Sequence, residues 1–553
     1  MNIRPAALVA TLAATLSVPG FAHAMTDAEL AGIVRQRIDG DRTGACMAVA
    51  VVEKSQVART FQCANPADAA RIGPDAAFEI GSVSKTMTAA LLADLILQGK
   101  GSLDDTLASW LPEGTKVPDF NGQPILLRHV VTHTSGLPAL PSRLGATIMA
   151  DPYANLDEAA LLASLGDAQL ASAPGTKFEY SNFASMVLSY AAARRAGTDF
   201  ETLAKARLFK PLGMDRAHVN QPPAGVRAAI GHTPDTRATP AWHFATNLAG
   251  VGGVRATLDD MVKYVQGGLG WTSAPITAAL VKTHEQVSEK PAMGMNWLMV
   301  PVAGRTVLAH EGGTGGFSSY VAIDPQQQRG VVVLSDTALH SIGGLGSLGN
   351  HLVDASLPLG KPRKLTAADP ALLEALAGEY QLQGAMKMTL GHRDGKLFVQ
   401  PAGQGEFEMG HDDAGDFFPL KLDAVLRPTR KADGSYTFTW LQMGGVLPAT
   451  RIDPTAAPAP GAAELAAYAG DYPLMPGFAL NVRSEGGKLL AQATGQGAFE
   501  LDAAAKDRFE APAFGIEIRF LRGADGQVES LELHQGGQVL RGARAPSATG
   551  AGR

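Results

Sequence analysis

The sequence predicts a mixed α/β (α+β) domain, with an antiparallel sheet, helices on its faces and a helical subdomain, followed by two small all-β antiparallel barrels. Three observations carry this reading. Alternating apolar runs stand near both ends of residues 25–360, with helical periodicity between them. The stretch Val83–Gln98 reads as a helix that is apolar around much of its circumference, and so buried. Beyond residue 360, a segment recurs at a constant offset.

The chain opens Met1-Asn2-Ile3-Arg4, then runs apolar from Ala6 to Phe21 and closes on the small-x-small triplet Ala22-His23-Ala24. A basic start, an apolar stretch and such a triplet make an export signal, with cleavage expected after Ala24. A membrane anchor is the competing reading, but Pro19 and Gly20 interrupt a run already short for a bilayer. The expected product is exported, periplasmic or secreted, with no membrane span.

Two alternating runs follow, Ala48–Val52 and Val57–Phe61, which read as a hairpin turning at Lys54-Ser55. With that turn, paired residues sum to 109, and 46 + 63 = 109 places Cys46 opposite Cys63. A disulfide fits an oxidising compartment. Two buried thiols are the alternative, since Lys-Ser is not a favoured hairpin turn. Phe317–Ile323 and Val331–Leu334, joined through Asp324-Pro325, read as late strands that pair with this hairpin.

In the last third, Ala377-Gly378-Glu379-Tyr380 recurs as Ala469-Gly470-Asp471-Tyr472. Gly403-Gln404-Gly405-Glu406-Phe407-Glu408 recurs as Gly495-Gln496-Gly497-Ala498-Phe499-Glu500, and both offsets are 92 (472 − 380 and 499 − 407). Each copy alternates apolar and polar residues, as in Leu397 and Val399 or Leu480 and Val482, so each reads as a meander closed into a barrel that hides its sheet edges. The expected domains are 25–360, 361–457 and 458–553, after a signal at 1–24, with linkers at 357–364 and 455–463. A length of 553 residues agrees with several domains. A net charge of −6 without any run of Lys or Arg excludes a phosphate-backbone ligand, so nucleic acid is not an expected partner.

Ser82-Val83-Ser84-Lys85 stands at the start of the buried helix, and its i, i+3 spacing puts an amine beside a hydroxyl on one helix face. Serine needs a base to become a nucleophile, and a lysine in apolar surroundings can serve once its pKa falls. Alone the pattern is weak, because a Ser at a helix start is usually a cap. Three further motifs follow in order: Leu126 to Leu137 containing Thr132-His133-Thr134-Ser135-Gly136, Pro174-Gly175 with Tyr180-Ser181-Asn182, and His310-Glu311-Gly312-Gly313 with Gly316-Phe317-Ser318-Ser319.

Together these motifs, spanning roughly residues 25 to 360, resemble the serine β-lactamase and penicillin-binding superfamily. The resemblance is to its branch of class C β-lactamases, DD-peptidases, D-aminopeptidases and related esterases. It implies that Ser82 forms an acyl-enzyme and that Tyr180, as phenolate or relay beside the Lys85 ammonium, takes the serine proton. It further implies that Asn182 binds the substrate amide, with His310 and Gly312 lining the substrate site. The backbone N–H groups of Ser82 and Gly313 would form the oxyanion hole. His310 departs from the Lys-Thr-Gly typical of class C β-lactamases, and because histidine titrates near pH ~6.5 the carboxylate binding there is expected to be weaker or pH-dependent. Related DD-peptidases, D-aminopeptidases and esterases carry a His-x-Gly triad, so the resemblance at His310-Glu311-Gly312 shifts the expectation toward those activities. The tail repeats resemble the lipocalin-like barrels that follow D-aminopeptidase domains. Amide hydrolysis near D-amino acids or in β-lactams is therefore expected, a carboxylesterase is the alternative, and a penicillin-binding sensor without turnover is a third reading. The partner is a small-molecule or peptide substrate; no metal or organic cofactor is implied, and the oligomeric state is open.

Two other patterns carry less. His129 and His133 have metal-ligand spacing, but Val130 stands where a zinc peptidase places its glutamate, and the resemblance implies that this histidine segment is structural. Gly344-Leu345-Gly346-Ser347-Leu348-Gly349 matches a dinucleotide fingerprint without its acidic partner, and reads as a helix-start loop.

Overall fold

A computed structural model describes residues 24–545, except 145–150, 340–343, 363–364, 383–386, 403–405, 420–423, 443–444, 453–460, 512–513, 515, 524 and 536–537. The expected export signal, but for Ala24, and most of the expected second linker lie outside the described residues. Among the described residues, no helix is long and apolar enough to cross a membrane.

β1 (Cys46–Glu53) and β2 (Val57–Cys63) form the first hairpin. Glu53 and Gln56 exchange backbone hydrogen bonds of 3.0 and 3.2 Å around Lys54-Ser55, so Val52 faces Val57 and Cys46 faces Cys63. A disulfide joins the two cysteines. Leu298–Val302 (β3), Arg305–Gly313 (β4), Ser318–Asp324 (β5) and Arg329–Ser335 (β6) complete an antiparallel sheet, with two short strands, Ser288–Glu289 and Ala292–Met293, at its far edge. The late strand β6 closes onto the early β1, from Met47 opposite Ser335 to Glu53 opposite Arg329.

Strand alternation divides the core into two layers. Ala48, Ala50 and Val52 of β1, with Val321 and Ile323 of β5, face the larger layer. Val49 and Val51, with Ala322, Val331 and Val333, face the smaller one, which is covered by α1 (Asp27–Ile38) and by a C-terminal helix, Gly346–Val353. Thr26 and Glu29 form a reciprocal capping box that starts α1.

The larger layer holds α2 (Ser84–Leu97), preceded by a single 3₁₀ turn at Gly81–Val83. The helix therefore begins one residue later and ends one earlier than the periodicity suggests. Every residue from Ser84 to Leu95 is buried, and Gly99 follows with φ +73°. Beside it lies α3 (Asn182–Ala196), capped by Ser181, whose Oγ accepts the Ala184 N–H at 3.0 Å.

The glycine pattern at 344–349 opens α4 (Gly346–Val353), and each glycine has its own reason there. Gly344 has φ +56°, a Cβ on Gly346 would meet the Glu311 carboxylate at 2.3 Å, and one on Gly349 would meet the Tyr320 ring at 2.2 Å. The pattern records packing against the sheet rather than a phosphate cradle.

The chain divides into two compact units, Met1–Thr450 and Arg451–Arg553. The first contains the mixed domain and, but for its terminal Arg451, an eight-stranded closed barrel that starts at Gly378; the second contains an eight-stranded antiparallel sheet from Gly470 to Ala543. In that sheet the last strand returns to the first, where Ala545 N–H donates to the Asp471 carbonyl at 2.8 Å. The 92-residue offset holds in detail: short helices Pro370–Leu376 and Ala462–Tyr468 precede the two copies (462 − 370 = 92). At their ends Tyr380 Oη donates to Leu376 O at 2.9 Å and Tyr472 Oη to Tyr468 O at 2.8 Å. Lys396 pairs with Glu408 as Lys488 pairs with Glu500.

Candidate active site

The 3₁₀ turn at Gly81–Val83 lifts Ser82 to the head of α2, where it keeps some solvent exposure while Lys85, one turn on, is 1 % exposed. Lys85 Nζ lies 2.8 Å from Ser82 Oγ and donates to the Val251 carbonyl, also at 2.8 Å. The Ser82 hydroxyl also acts on the Tyr180 phenol, drawing its pKa down against burial, and Lys85 Nζ stands 5.0 Å from the Tyr180 ring centroid. The helix spacing, the segment before α3 and the turn ending at Val251 thus bring one hydroxyl, one amine and one phenol together.

Burial pushes Lys85 well below its ordinary value and pushes the Tyr180 phenol above its own. A Lys85 ammonium with a Tyr180 phenolate would desolvate two charges, a cost their attraction must first offset. Burial thus favours the neutral form of each group. Burial opposes the phenolate–ammonium pairing that the resemblance implies, and the relay form is compatible with this geometry.

The end of β4 approaches the same turn closely. A Cβ on Gly312 would lie 2.1 Å from the Ile80 carbonyl oxygen and 3.0 Å from Ser82 N, and a Cβ on Gly81, which has φ +49°, would lie 2.6 Å from Gly313 N. Only glycine permits this contact of backbones. Ser319 Oγ fastens it from β5 by donating to Ile80 O at 2.7 Å. Gly313 and Ser82 accordingly present adjacent backbone segments.

His310 is buried on β4, 6 % exposed, with Nδ1 2.6 Å from the Glu311 carbonyl oxygen. Its field, with that of Lys85, reaches His133. Glu311, next along the strand, extends instead toward Gly346 on the other face. Asn182 begins α3 and donates through Nδ2 to Tyr153 Oη at 3.3 Å. Tyr153 stacks on Phe244 at 5.0 Å and meets Trp242 edge-on at 5.4 Å.

Sequence reasoning missed three contributors. The Val251 carbonyl, which anchors Lys85, has no side-chain signature. Asn296 Nδ2 donates to Lys85 O at 3.1 Å from a residue with φ +58°. His133 packs on Tyr180; its place inside the Thr-His-Thr-Ser-Gly motif was the available signal. His129 and His133 do not converge on one point: His129 Nδ1 accepts the Leu126 N–H at 3.1 Å, and His133 Nδ1 accepts the Ser181 N–H at 3.2 Å. Among the described residues no group of three His, Cys, Asp or Glu side chains could hold a metal.

Comparison with known proteins decides the family. The beta-lactamase family model matches residues 30–340, more than half of the chain. The chain belongs to the beta-lactamase family. It is a serine hydrolase of the β-lactamase and penicillin-binding superfamily. D-alanyl-D-alanine-carboxypeptidase/endopeptidase AmpH of Escherichia coli K12 is 30 % identical over 307 residues, covering 52 % of this chain and 78 % of AmpH. A beta-lactamase of the same organism is 29 % identical over 344 residues, covering 55 % of this chain and 85 % of the relative. The octameric penicillin-binding protein homologue from Pyrococcus abyssi shares the fold, with TM-score 0.50 and 16 % identity over 84 % of this chain and 98 % of that one. A second model, a domain of unknown function (DUF3471), matches residues 454–544.

Proposed function

We propose that this β-lactamase-family protein is an exported, periplasmic or secreted acyl-hydrolase that cleaves amide bonds beside D-amino acids, in peptides or in β-lactams, through an acyl-enzyme on Ser82. The observation that carries the reading is the 2.8 Å approach of Lys85 Nζ to Ser82 Oγ, with the Tyr180 ring centroid 5.0 Å from the same Nζ. The neutral Lys85 amine accepts the Ser82 proton as Oγ bonds to the substrate carbonyl carbon. The C–N bond then breaks, and Tyr180 relays that proton to the departing nitrogen. Water next attacks the ester, loses a proton to the same pair, and returns Ser82 as a hydroxyl. Charge on the substrate oxygen is met by the N–H groups of Ser82 and Gly313. Asn182 holds the substrate amide, with His310 and Gly312 along its other edge. The name of the 30 %-identical relative supports a D-alanyl peptide substrate.

Carboxylester hydrolysis is the second reading, favoured by His310. A histidine carries no obligatory charge at neutral pH, so substrates with a carboxylate lack a fixed cation there while neutral esters lose nothing. Rates on a chromogenic cephalosporin, a D-alanyl p-nitroanilide and p-nitrophenyl acetate rank these substrates. A burst of one equivalent without a steady rate on all three contradicts hydrolytic turnover and identifies a sensor. Residues 25–360, 361–457 and 458–553 are further proposed as separate domains. A chain ending at Gly360 that folds and keeps its activity supports the first boundary; one that fails to fold contradicts it.

A further inference from the structure

We infer that His133 is a positioning residue for Tyr180, holding the phenol against Ser82 by a clamp on the backbone either side of it and by a stacked ring. The inference rests on the reading that Tyr180 relays the Ser82 proton. His133 is fully buried, and three of its parts engage the same short segment. Its carbonyl oxygen accepts the Glu179 N–H at 2.7 Å, and its ring Nδ1 accepts the Ser181 N–H at 3.2 Å. Its ring stacks on Tyr180 at 4.2 Å between centroids and 29° between planes. Phe178 meets the imidazole edge-on at 6.0 Å. Residues 178, 179, 180 and 181 are thus all tied to one side chain and its own peptide. His133 reaches them from a left-handed backbone, φ +53°, a conformation open to few non-glycine residues.

The chemistry of the ring agrees with this role. An Nδ1 that accepts a hydrogen bond leaves the proton of a neutral imidazole on Nε2. Nε2 finds no partner among the described residues, so the ring acts through Nδ1 and its face. Burial, with the nearby Lys85 and His310, holds the imidazole well below its ordinary value and so in the form that can accept. A protonated ring would lose the Ser181 bond and place a cation against the Tyr180–Lys85 pair.

A misplacement on the order of 1 Å costs a reaction of this kind about 100-fold. His133→Phe keeps a ring and loses the acceptor; His133→Asn keeps an acceptor and tolerates the left-handed backbone. The full chain carrying each change, alone and with Tyr180→Phe, is assayed on the fastest substrate of the panel, with near-ultraviolet circular dichroism as the fold control. His133→Phe is expected to lower kcat about 100-fold with KM little changed, and His133→Asn to recover part of that loss. Both losses disappear in the Tyr180→Phe background, because nothing remains to be positioned. Equal fold-losses in the two backgrounds, or a wild-type kcat for His133→Phe, overturn the proposal. If His133→Phe does not fold, His133→Asn alone decides by the same comparison. Full activity of Tyr180→Phe by itself overturns the relay reading, and is seen before any His133 variant is made.

Discussion

Lys85 Nζ stands 2.8 Å from Ser82 Oγ in a site where its other hydrogen bond runs to a backbone carbonyl, that of Val251. No carboxylate is among the influences on this amine; burial alone moves its pKa, downward. In the proposed mechanism the deprotonated amine is the base. Activity is therefore expected to rise with pH along a limb whose midpoint lies below the 10.5 of an ordinary lysine. Lys85→Arg, which stays charged, should lose rate nearly as severely as Ser82→Ala, since groups acting as a unit are not additive. A pH profile of kcat/KM for the wild type checks the first expectation.

Gly312→Ala sets a methyl group against the Ile80 carbonyl and beside Ser82 N, contacts of 2.1 and 3.0 Å before any relaxation. β4 must move away from the serine turn. Because the Gly313 N–H moves with it, the expected loss in kcat is on the order of 100-fold, the scale of losing one oxyanion donor. Steady-state kinetics with a thermal melt separates this from unfolding.

Stability should fall in acid. Burial lowers the pKa of His284 to about 4, and that of His133 also lies well below 6.5. An imidazole with a lowered folded pKa binds its proton more readily in the unfolded chain. Its contribution is complete above about pH 6.5 and is lost as pH falls below that value, the His284 part levelling off near pH 4. Urea midpoints at a series of pH values measure this, and His284→Gln should lose less stability between pH 7 and pH 4 than the wild type.

The Cys46–Cys63 bridge spans 17 residues. Closing a loop of that size removes about 3 kcal/mol of unfolded-chain freedom. Denatured, unreduced protein should titrate with no free thiol, and Cys46→Ala with Cys63→Ala should lower the unfolding free energy by about that amount.

Tyr380→Phe and Tyr472→Phe each strip the partner from a buried helix-terminal carbonyl, at Leu376 and Tyr468. Each change should cost about 1–3 kcal/mol in its own barrel while hydrolytic activity is unchanged. Denaturant unfolding followed together with activity tests this.

The parts of this molecule legible in its sequence are those that rest on local periodicity. The hairpin register followed from arithmetic about one turn, and the two barrels from a constant offset. The helices Pro370–Leu376 and Ala462–Tyr468 were missed because two turns hold too few apolar residues, chiefly Leu373 and Leu376 in the first, to show a period. In the site, Ser82, Lys85 and Tyr180 were legible as ordered motifs. The Val251 carbonyl was not, since a backbone oxygen leaves no mark on residue type. His133 was visible as part of a structural segment, but its partner was not. Its contacts with Tyr180 join residues 47 positions apart (180 − 133), which only the fold brings together. The charge states were also out of reach of the sequence, because burial decides them.

The central claim is that Ser82 carries the acyl group. Intact-mass spectrometry during turnover of the substrate panel, followed by peptide mapping, tests it most directly on wild type and Ser82→Ala. One acyl adduct on the peptide containing Ser82 is expected, with adduct and turnover both lost in the variant. Turnover by Ser82→Ala at the wild-type rate, or an adduct mapped to another residue, would contradict it.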